Sequence, residues 1–506
     1  MSILNINIGV LGHVDSGKTS LAKALTEIQS TACFDKDPQS QTRGITLDLG
    51  FSSFTLPSPP QLPQFDQLQF TLVDNPGHAS LLRTVIGGSA IIDLMLLVID
   101  ANKGIQTQTG ECVVIGEITG KKGLVVLNKV DMIIDEAKLE GVKFKVKKVL
   151  NTTRCFHDCP ILPFSALHPS HNPQYKEALF STLIDMVLTK VPRIQQIISS
   201  QSNLIEPSPL LVVADHCFAI KGKGTVLTGT VLRGQLSRDQ SIFLSCCAGS
   251  YKVKSIQAFK RSVNTAHSGD RIGIRVANLP PQDIDRVFVS DESSNFLKLS
   301  RFVVFVNKVA WFKNTIESGQ NYHVSIGYET VIGKITLFKG SYDFEQSQQD
   351  NCEFLSVFDE QMGPVYALVE LSSEVVVPLD LFAIFSRLDF PESSKQCRIA
   401  FSGKIFLPKI SFDVFRNKVK KGVVKRVTSE NSVIVDNLFN DISNARVFLN
   451  CSLKNQNDDV IGLIESTFGQ SGKVVCRITG QKLSVGDFVF LHFKRSIFGD
   501  KLIKFD

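Results

Sequence analysis

The chain has 506 residues, 43% of them hydrophobic and 21% charged. At about 150 residues per domain this gives roughly three to four folded units, and it excludes a mostly disordered chain. Lys and Arg number 55 against 49 Asp and Glu, a mild excess compatible with a nucleic-acid partner and too small to require one.

In chain order, apolar runs at 6–12 (INIGVLG), 70–74, 93–100, 124–129 and 161–166 read as strands covered on both faces. Helical spacing lies between them at 20–28 and 107–118, and a closing helix is expected at 173–191. The alternation predicts an α/β domain with a mostly parallel sheet over 1–195, interrupted by a Pro-rich loop at 57–65. Residues 194–209 read as a linker. Helical patterns then give way to short strands with Gly or charged turns, the pattern of β-barrels or sandwiches. The expected divisions are 207–295, 296–408 and a basic C-terminal β domain at 409–506, with 346–363 as a polar surface loop. No run of about 18 uncharged apolar residues is present, so no transmembrane helix or membrane role is expected. The start, MSILNINIGV, lacks the features of a signal peptide. Eleven scattered cysteines suit the reducing cytoplasm better than a disulfide framework. Cys155, His157 and Cys159 supply too few ligands for a recognised metal spacing and read as ordinary side chains.

The chemistry is concentrated in the first domain. Gly12-His-Val-Asp-Ser-Gly17-Lys18-Thr19 fits G-x-x-x-x-G-K-S/T, after a strand and at the start of a helix. The loop residues Asp15, Ser16, Gly17, Lys18, Thr19 and Ser20 are the candidates for cradling phosphates. Lys18 can reach the β- and γ-phosphates, and Thr19 can offer a hydroxyl to Mg²⁺. Asp74-Asn-Pro-Gly77 ends a strand; Asp74 is placed for the metal shell and Gly77 for a γ-phosphate contact. Asn128-Lys129-Val-Asp131 ends another. A carboxylate at Asp131 can accept N1–H and the 2-amino group of guanine, a donor pair adenine lacks, so GTP and GDP are favoured. Ser165 and Ala166 can complete the base pocket. Thr46 can be a second metal hydroxyl that orders its loop only with a γ-phosphate present. His78 can orient the attacking water.

GHVDSGKTSL, RGITLD and DNPGH resemble the translational GTPases of the elongation factor Tu type. The resemblance implies a P-loop GTPase domain followed by two β-barrels, a catalytic His78, and an apolar gate at Val14 and Ile45. Segments 34–51, 74–88, 214–234 and 466–474 are similar, more narrowly, to the selenocysteine-specific elongation factors of eukaryotes and archaea. That likeness spans essentially the whole chain, including the fourth block, which elongation factor Tu lacks. It implies an aminoacyl pocket at Asp215, His216 and Arg271. There Arg271 and protonated His216 would attract the selenolate, which is anionic where serine is neutral; Asp215 would hold the amine or help charge His216. It also implies that the basic fourth block, with 418–426 and Lys494 and Arg495, contacts the long tRNA arm. Asn75 stands where many relatives have Cys, and 283–287 lacks a common Gly.

The resulting expectation is a ribosome-stimulated GTPase, a cytoplasmic monomer using GTP and Mg²⁺. It would bind selenocysteinyl-tRNA and deliver it to the ribosome at UGA. The selenocysteine-insertion RNA element would be reached through an RNA-binding adaptor protein. The alternatives are a general aminoacyl-tRNA elongation factor, or another ribosome-associated RNA-binding translational GTPase. The extra block after residue 408 disfavours the first. The absence of a four-cysteine zinc ribbon disfavours an initiator-tRNA carrier.

Overall fold

The computed structural model describes residues 2–29, 49–75, 82–133, 135–170, 172–200, 208–220, 224–259, 261–279, 286–340, 352–379, 382–390, 396–407, 412–479 and 482–498. Residues 1–335 and 369–405 form one compact unit, and 336–368 with 406–506 form a second.

The first layer of the first unit is α/β. Its strands are β1 (Ile3–Leu11), β2 (Ile28–Gln29), β3 (Gly50–Pro57), β4 (Gln67–Asp74), β5 (Leu94–Asp100), β6 (Gly123–Asn128) and β7 (Ile161–Pro163). They form one sheet in the order β2-β3-β4-β1-β5-β6-β7. β1 runs parallel to β4 and β5, and β5, β6 and β7 continue in parallel, while β3 pairs antiparallel with β4. Of the apolar runs read as two-sided strands, β5 and β6 are buried at every residue, whereas β7 is half-buried throughout. The helices are α1 (Lys18–Leu25), α2 (Leu82–Ser89), α3 (Thr107–Thr119), α4 (Glu136–Leu150), α5 (Pro173–Lys190) and α6 (Pro192–Ser200). Proline at the first position of α5 suits a helix start, because its missing N–H would be unpaired there in any case.

Two features were not legible as strands and helices. β3, GFSSFTLP, follows the segment 30–48, and its serines broke the apolar signal. α6 replaces the first part of the expected linker at 194–209, over 194–200, and 201–207 lie outside the described residues. Ile194 and Ile197 repeat at helical spacing and are buried in the same core as β1 and β5; the prolines that suggested a linker come later.

The second layer is a barrel. It is built from β8 (Leu211–Ile220), β9 (Gly224–Arg233), β10 (Gln235–Ser237), β11 (Ser241–Leu244), β12 (Cys247–Ala258), β13 (Arg261–Val263), β14 (Thr265–His267), β15 (Arg271–Val276) and β16 (Val287–Ser290). The path β11-β16-β8-β9-β15-β12 closes on itself because β12 also pairs β11. Closure removes the sheet edges. Alternate residues such as Val212, Ala214, Leu227, Ile272 and Ile274 fill the barrel. A further antiparallel set pairs Asn321–Ile326 with Glu329–Lys339 and Phe382–Ser386, and the last of these with Ile399–Phe406.

Buried polar groups tie these layers together. Arg193, just after α5, donates to both carboxylate oxygens of Asp93 at 2.8 and 2.7 Å, to Asn5 O and to Ser268 O. Asn5 and Asn7 of β1 both donate to Gly269 O, at 2.6 and 2.8 Å. Gly269 has φ +95°, and a Cβ there would fall about 2.6 Å from the Arg193 guanidinium, so the turn requires glycine. On the other side, Glu111 of α3 receives a two-pronged bond from Arg398, both distances 2.8 Å, with each side chain buried. Trp311 lies against Gly110, the residue before Glu111.

This buried pair yields a stability prediction. Arg398→Met alone strands the Glu111 carboxylate and costs about 3–5 kcal/mol, whereas Arg398→Met with Glu111→Leu recovers most of the loss. Chemical unfolding of both variants checks it; a single variant as stable as the parent would contradict it.

In the second unit, Cys352–Leu355 is a strand pairing with 337–339 and, in parallel, with the start of Val414–Ser429. The polar loop expected at 346–363 is therefore part strand, because Cys352 and Leu355 are buried among the polar neighbours that masked them; 341–351 lie outside the described residues. Val414–Ser429, Ser432–Asp436, Lys473–Ile478, Val460–Phe468, Ser452–Lys454 and Phe488–Ser496 pair in that order. Phe488–Ser496 returns to Val414–Ser429, closing a barrel around Val424, Val435, Ile464, Val474 and Leu491.

Candidate functional site

The phosphate loop follows from the β1-to-α1 turn. Asp15 and Gly17 take positive φ, +61° and +90°, so successive backbone N–H groups turn inward before α1 begins. A Cβ on Gly17 would run into the Asn128 amide. Lys18 is buried, and its Nζ donates to His13 O at 2.8 Å. Burial lowers its pKa, and the Asp74 carboxylate opposes that. Thr19 Oγ1 donates to Asp74 Oδ2 at 2.7 Å, so the two proposed metal ligands stand side by side. Ser16 Oγ and His13 Nδ1 are buried without a hydrogen-bond partner among the described residues. Gln108 of α3 accepts from Val14 N at 3.0 Å and braces the loop.

The base end is equally connected. Asn128 Nδ2 donates to Ser16 O at 2.9 Å and its Oδ1 accepts from Ala166 N at 3.0 Å. Lys129 bonds Asp15 O at 2.6 Å and pairs with Asp100 at 2.9 Å. Ser165 Oγ donates to Asp131 Oδ1 at 2.6 Å, and the Asp131 side chain is exposed. Met132, next to Asp131 in the chain, and Leu167, next to Ala166, are 65% and 70% exposed. The loop, the paired Thr19 and Asp74, and the exposed carboxylate fit a guanine nucleotide with its divalent cation. Ser20 continues α1 from the loop. Thr46, Ile45, Gly77 and His78 lie outside the described residues.

The barrel of the second layer brings Asp215 and Arg271 together. β8 carries a bulge between Ala214 and His216, which places Asp215 out of the ladder. Asp215 pairs with Arg271 of β15 at 2.6 Å, both buried, and accepts from Thr228 Oγ1 at 3.1 Å. His216, opposite Thr228, is half-buried. The sequence did not single out a third component. The Arg271 guanidinium lies 3.6 Å from the ring centroid of Phe51, which is completely buried and belongs to β3 of the α/β layer. Its only sequence signal was its place at the end of TLDLGF. Arg271 thus faces Asp215 and Phe51, since a buried guanidinium requires a charge partner.

In the C-terminal barrel, the register sets Arg416 opposite Arg495 and Asn417 opposite Lys494. Lys420 lies 4.5 Å from the Phe439 ring centroid and Lys421 lies 3.4 Å from that of Phe488. Lys420 and Lys421, neighbours on opposite faces of the strand, are thus each seated on an aromatic ring. The separate Cys155 thiol is buried and donates to Val113 O, and burial pushes its pKa up. No helix among the described residues is long and apolar enough to cross a membrane.

Comparison with known proteins agrees with this architecture. The family described as "Elongation factor Tu GTP binding domain" matches residues 4–193, "Selenocysteine-specific elongation factor, eukaryotes, 3rd domain" matches 303–403, and "eEFSec C-terminal RIFT domain" matches 408–488. The chain is 38% identical to the selenocysteine-specific elongation factor of Mus musculus, over 94% of this chain and 88% of that protein. It is 32% identical to that of Methanocaldococcus jannaschii, over 97% and 98%. Its fold is similar to translation elongation factor SelB of Methanococcus maripaludis in complex with the GTP analogue GppNHp, with TM-score 0.73, 27% identity and 98% and 99% coverage. With the nucleotide site and barrels in place, the chain belongs to the selenocysteine-specific elongation factors, translational GTPases of selenocysteine incorporation.

Proposed function

We propose that this GTPase carries selenocysteinyl-tRNA to the ribosome and delivers it at UGA codons. The observation behind this reading is the contact between Phe51 and Arg271. Phe51, which covers the Arg271–Asp215 pair, follows Thr46 by only five residues. A segment that responds to the γ-phosphate at Thr46 therefore also determines where Phe51 stands.

In this account Lys18 and the loop from Asp15 to Ser20 hold the phosphates, Asp131, Ser165, Ala166, Asn128 and Lys129 hold guanine, and Gly77 contacts the γ-phosphate. Thr19, Thr46 and Asp74 would hold Mg²⁺, which when bound supplies positive charge to the phosphate oxygens. His78 orients the attacking water between Val14 and Ile45. Arg271 and His216 draw the selenolate, while Asp215 either receives the aminoacyl amine or stays with Arg271. The barrel at 409–506 meets the long tRNA arm and reaches the selenocysteine-insertion RNA element through an RNA-binding adaptor protein. The working form is a cytoplasmic monomer with divisions at 195, 207–295, 296–408 and 409–506.

The test is His78→Ala. GTP affinity stays within about threefold, and ribosome-stimulated hydrolysis falls about 10²–10⁴-fold, the span of a lost proton-handling or water-orienting group. Unchanged hydrolysis would remove His78 from the mechanism.

A further inference from the structure

A cavity of about 390 Å³ lies away from the nucleotide loop, where the end of α3, the start of α6 and the β9–β10 turn meet. Five cationic side chains line it: Lys121, Lys122, Lys190, Arg193 and Arg233. The lining holds one carboxylate, Asp93, and both its oxygens already accept from Arg193. Burial would raise the Asp93 carboxyl, but Arg193 outweighs it and keeps the group below its ordinary value, so it remains an anion committed to Arg193.

The other cations are unequally occupied. Lys122 Nζ donates to Arg154 O at 2.6 Å. Lys121 makes no side-chain hydrogen bond among the described residues. Burial pushes its ammonium below the ordinary value; Asp93 opposes this and Arg193 adds to it. Arg233 Nε is buried without a hydrogen-bond partner among the described residues. The buried Arg233 Nε of the barrel layer and the half-buried Lys121 of the α/β layer thus line one cavity with a surplus of positive charge.

We infer that this cavity is a second phosphate-binding site, with Lys121 of the α/β layer and Arg233 of the barrel as its donors. A carboxylate would bring one charge and a flat pair of oxygens. A phosphate dianion brings two charges and enough oxygens to meet an ammonium and a guanidinium approaching from different directions. Because the donors come from two layers, the ligand ties β9 of the barrel to the end of α3. The phosphate comes either from a free molecule or from an RNA backbone.

The test uses the full chain saturated with GDP and magnesium, so that the first site is filled. In one arm, inorganic phosphate is titrated and binding is read by calorimetry. In the other, deacylated tRNA binding is measured across a salt series. Lys121→Gln, Arg233→Gln and the double variant are compared with the parent, with GDP affinity as the folding control. A free phosphate is indicated if each single variant weakens inorganic phosphate at least tenfold. An RNA phosphate is indicated if the double variant weakens tRNA and reduces the slope of log K against log salt by about two, one per lost contact. If neither arm responds while GDP affinity is intact, the site does not exist. The inorganic-phosphate arm does not depend on the tRNA-carrier reading.

Discussion

Asp131→Asn lowers GTP affinity by about 10²–10⁴-fold and moves the preference to xanthosine triphosphate. Asp131 ends the Asn128-Lys129-Val130-Asp131 segment with its Oδ1 held by Ser165, and the rest of the exposed carboxylate is available to two donors on the guanine edge. Each charge-assisted bond contributes about 1.5–3 kcal/mol. Losing both amounts to about 3–6 kcal/mol, and every 1.4 kcal/mol is tenfold. Xanthine carries a carbonyl in place of the 2-amino group, which the new amide can meet with its own N–H. Competition of GTP and xanthosine triphosphate for the parent and the variant checks this. Equal GTP affinity in both would show that Asp131 does not read the base.

The second large effect is expected at Arg271. Arg271→Ala leaves Asp215 buried without its 2.6 Å partner, which costs about 3–5 kcal/mol of stability. It also removes the cation proposed to attract a selenolate, and preference for selenocysteinyl- over seryl-tRNA is expected to fall at least tenfold. Arg271→Lys separates the two effects. It keeps the charge and much of the stability, but loses the planar group stacked 3.6 Å from Phe51. Intermediate discrimination with near-parent stability is expected. Full discrimination in Arg271→Ala would remove Arg271 from selenolate recognition.

Much of the fold was readable because each element carried a strong local signal. β5 and β6 are unbroken apolar runs buried on both faces, and α5 begins at a proline. The nucleotide site was readable because phosphate and guanine constrain residue type at fixed spacing, and the structure brings Lys18, Thr19, Asp74, Asn128, Asp131 and Ser165 together as that spacing implies. What escaped depended on contacts between distant segments. Ile194 and Ile197 look like part of a polar tail until the core beneath them is seen. Cys352–Leu355 is hidden by polar neighbours. Phe51 reads as one more aromatic in a strand, and only packing shows that it covers Arg271. Glu111 and Arg398 are 287 residues apart, beyond any local pattern.

The chain is expected to distinguish a selenolate from a hydroxyl through a pocket controlled by the nucleotide. Protection of the aminoacyl ester from hydrolysis tests it directly, with one tRNA body charged either with selenocysteine or with serine, in GTP and in GDP. Strong protection is expected for the selenocysteinyl form in GTP alone, and it should disappear in Arg271→Ala. Equal protection of both forms in GTP would contradict the account: the chain would then read the tRNA body, and Asp215, His216 and Arg271 would not select the amino acid.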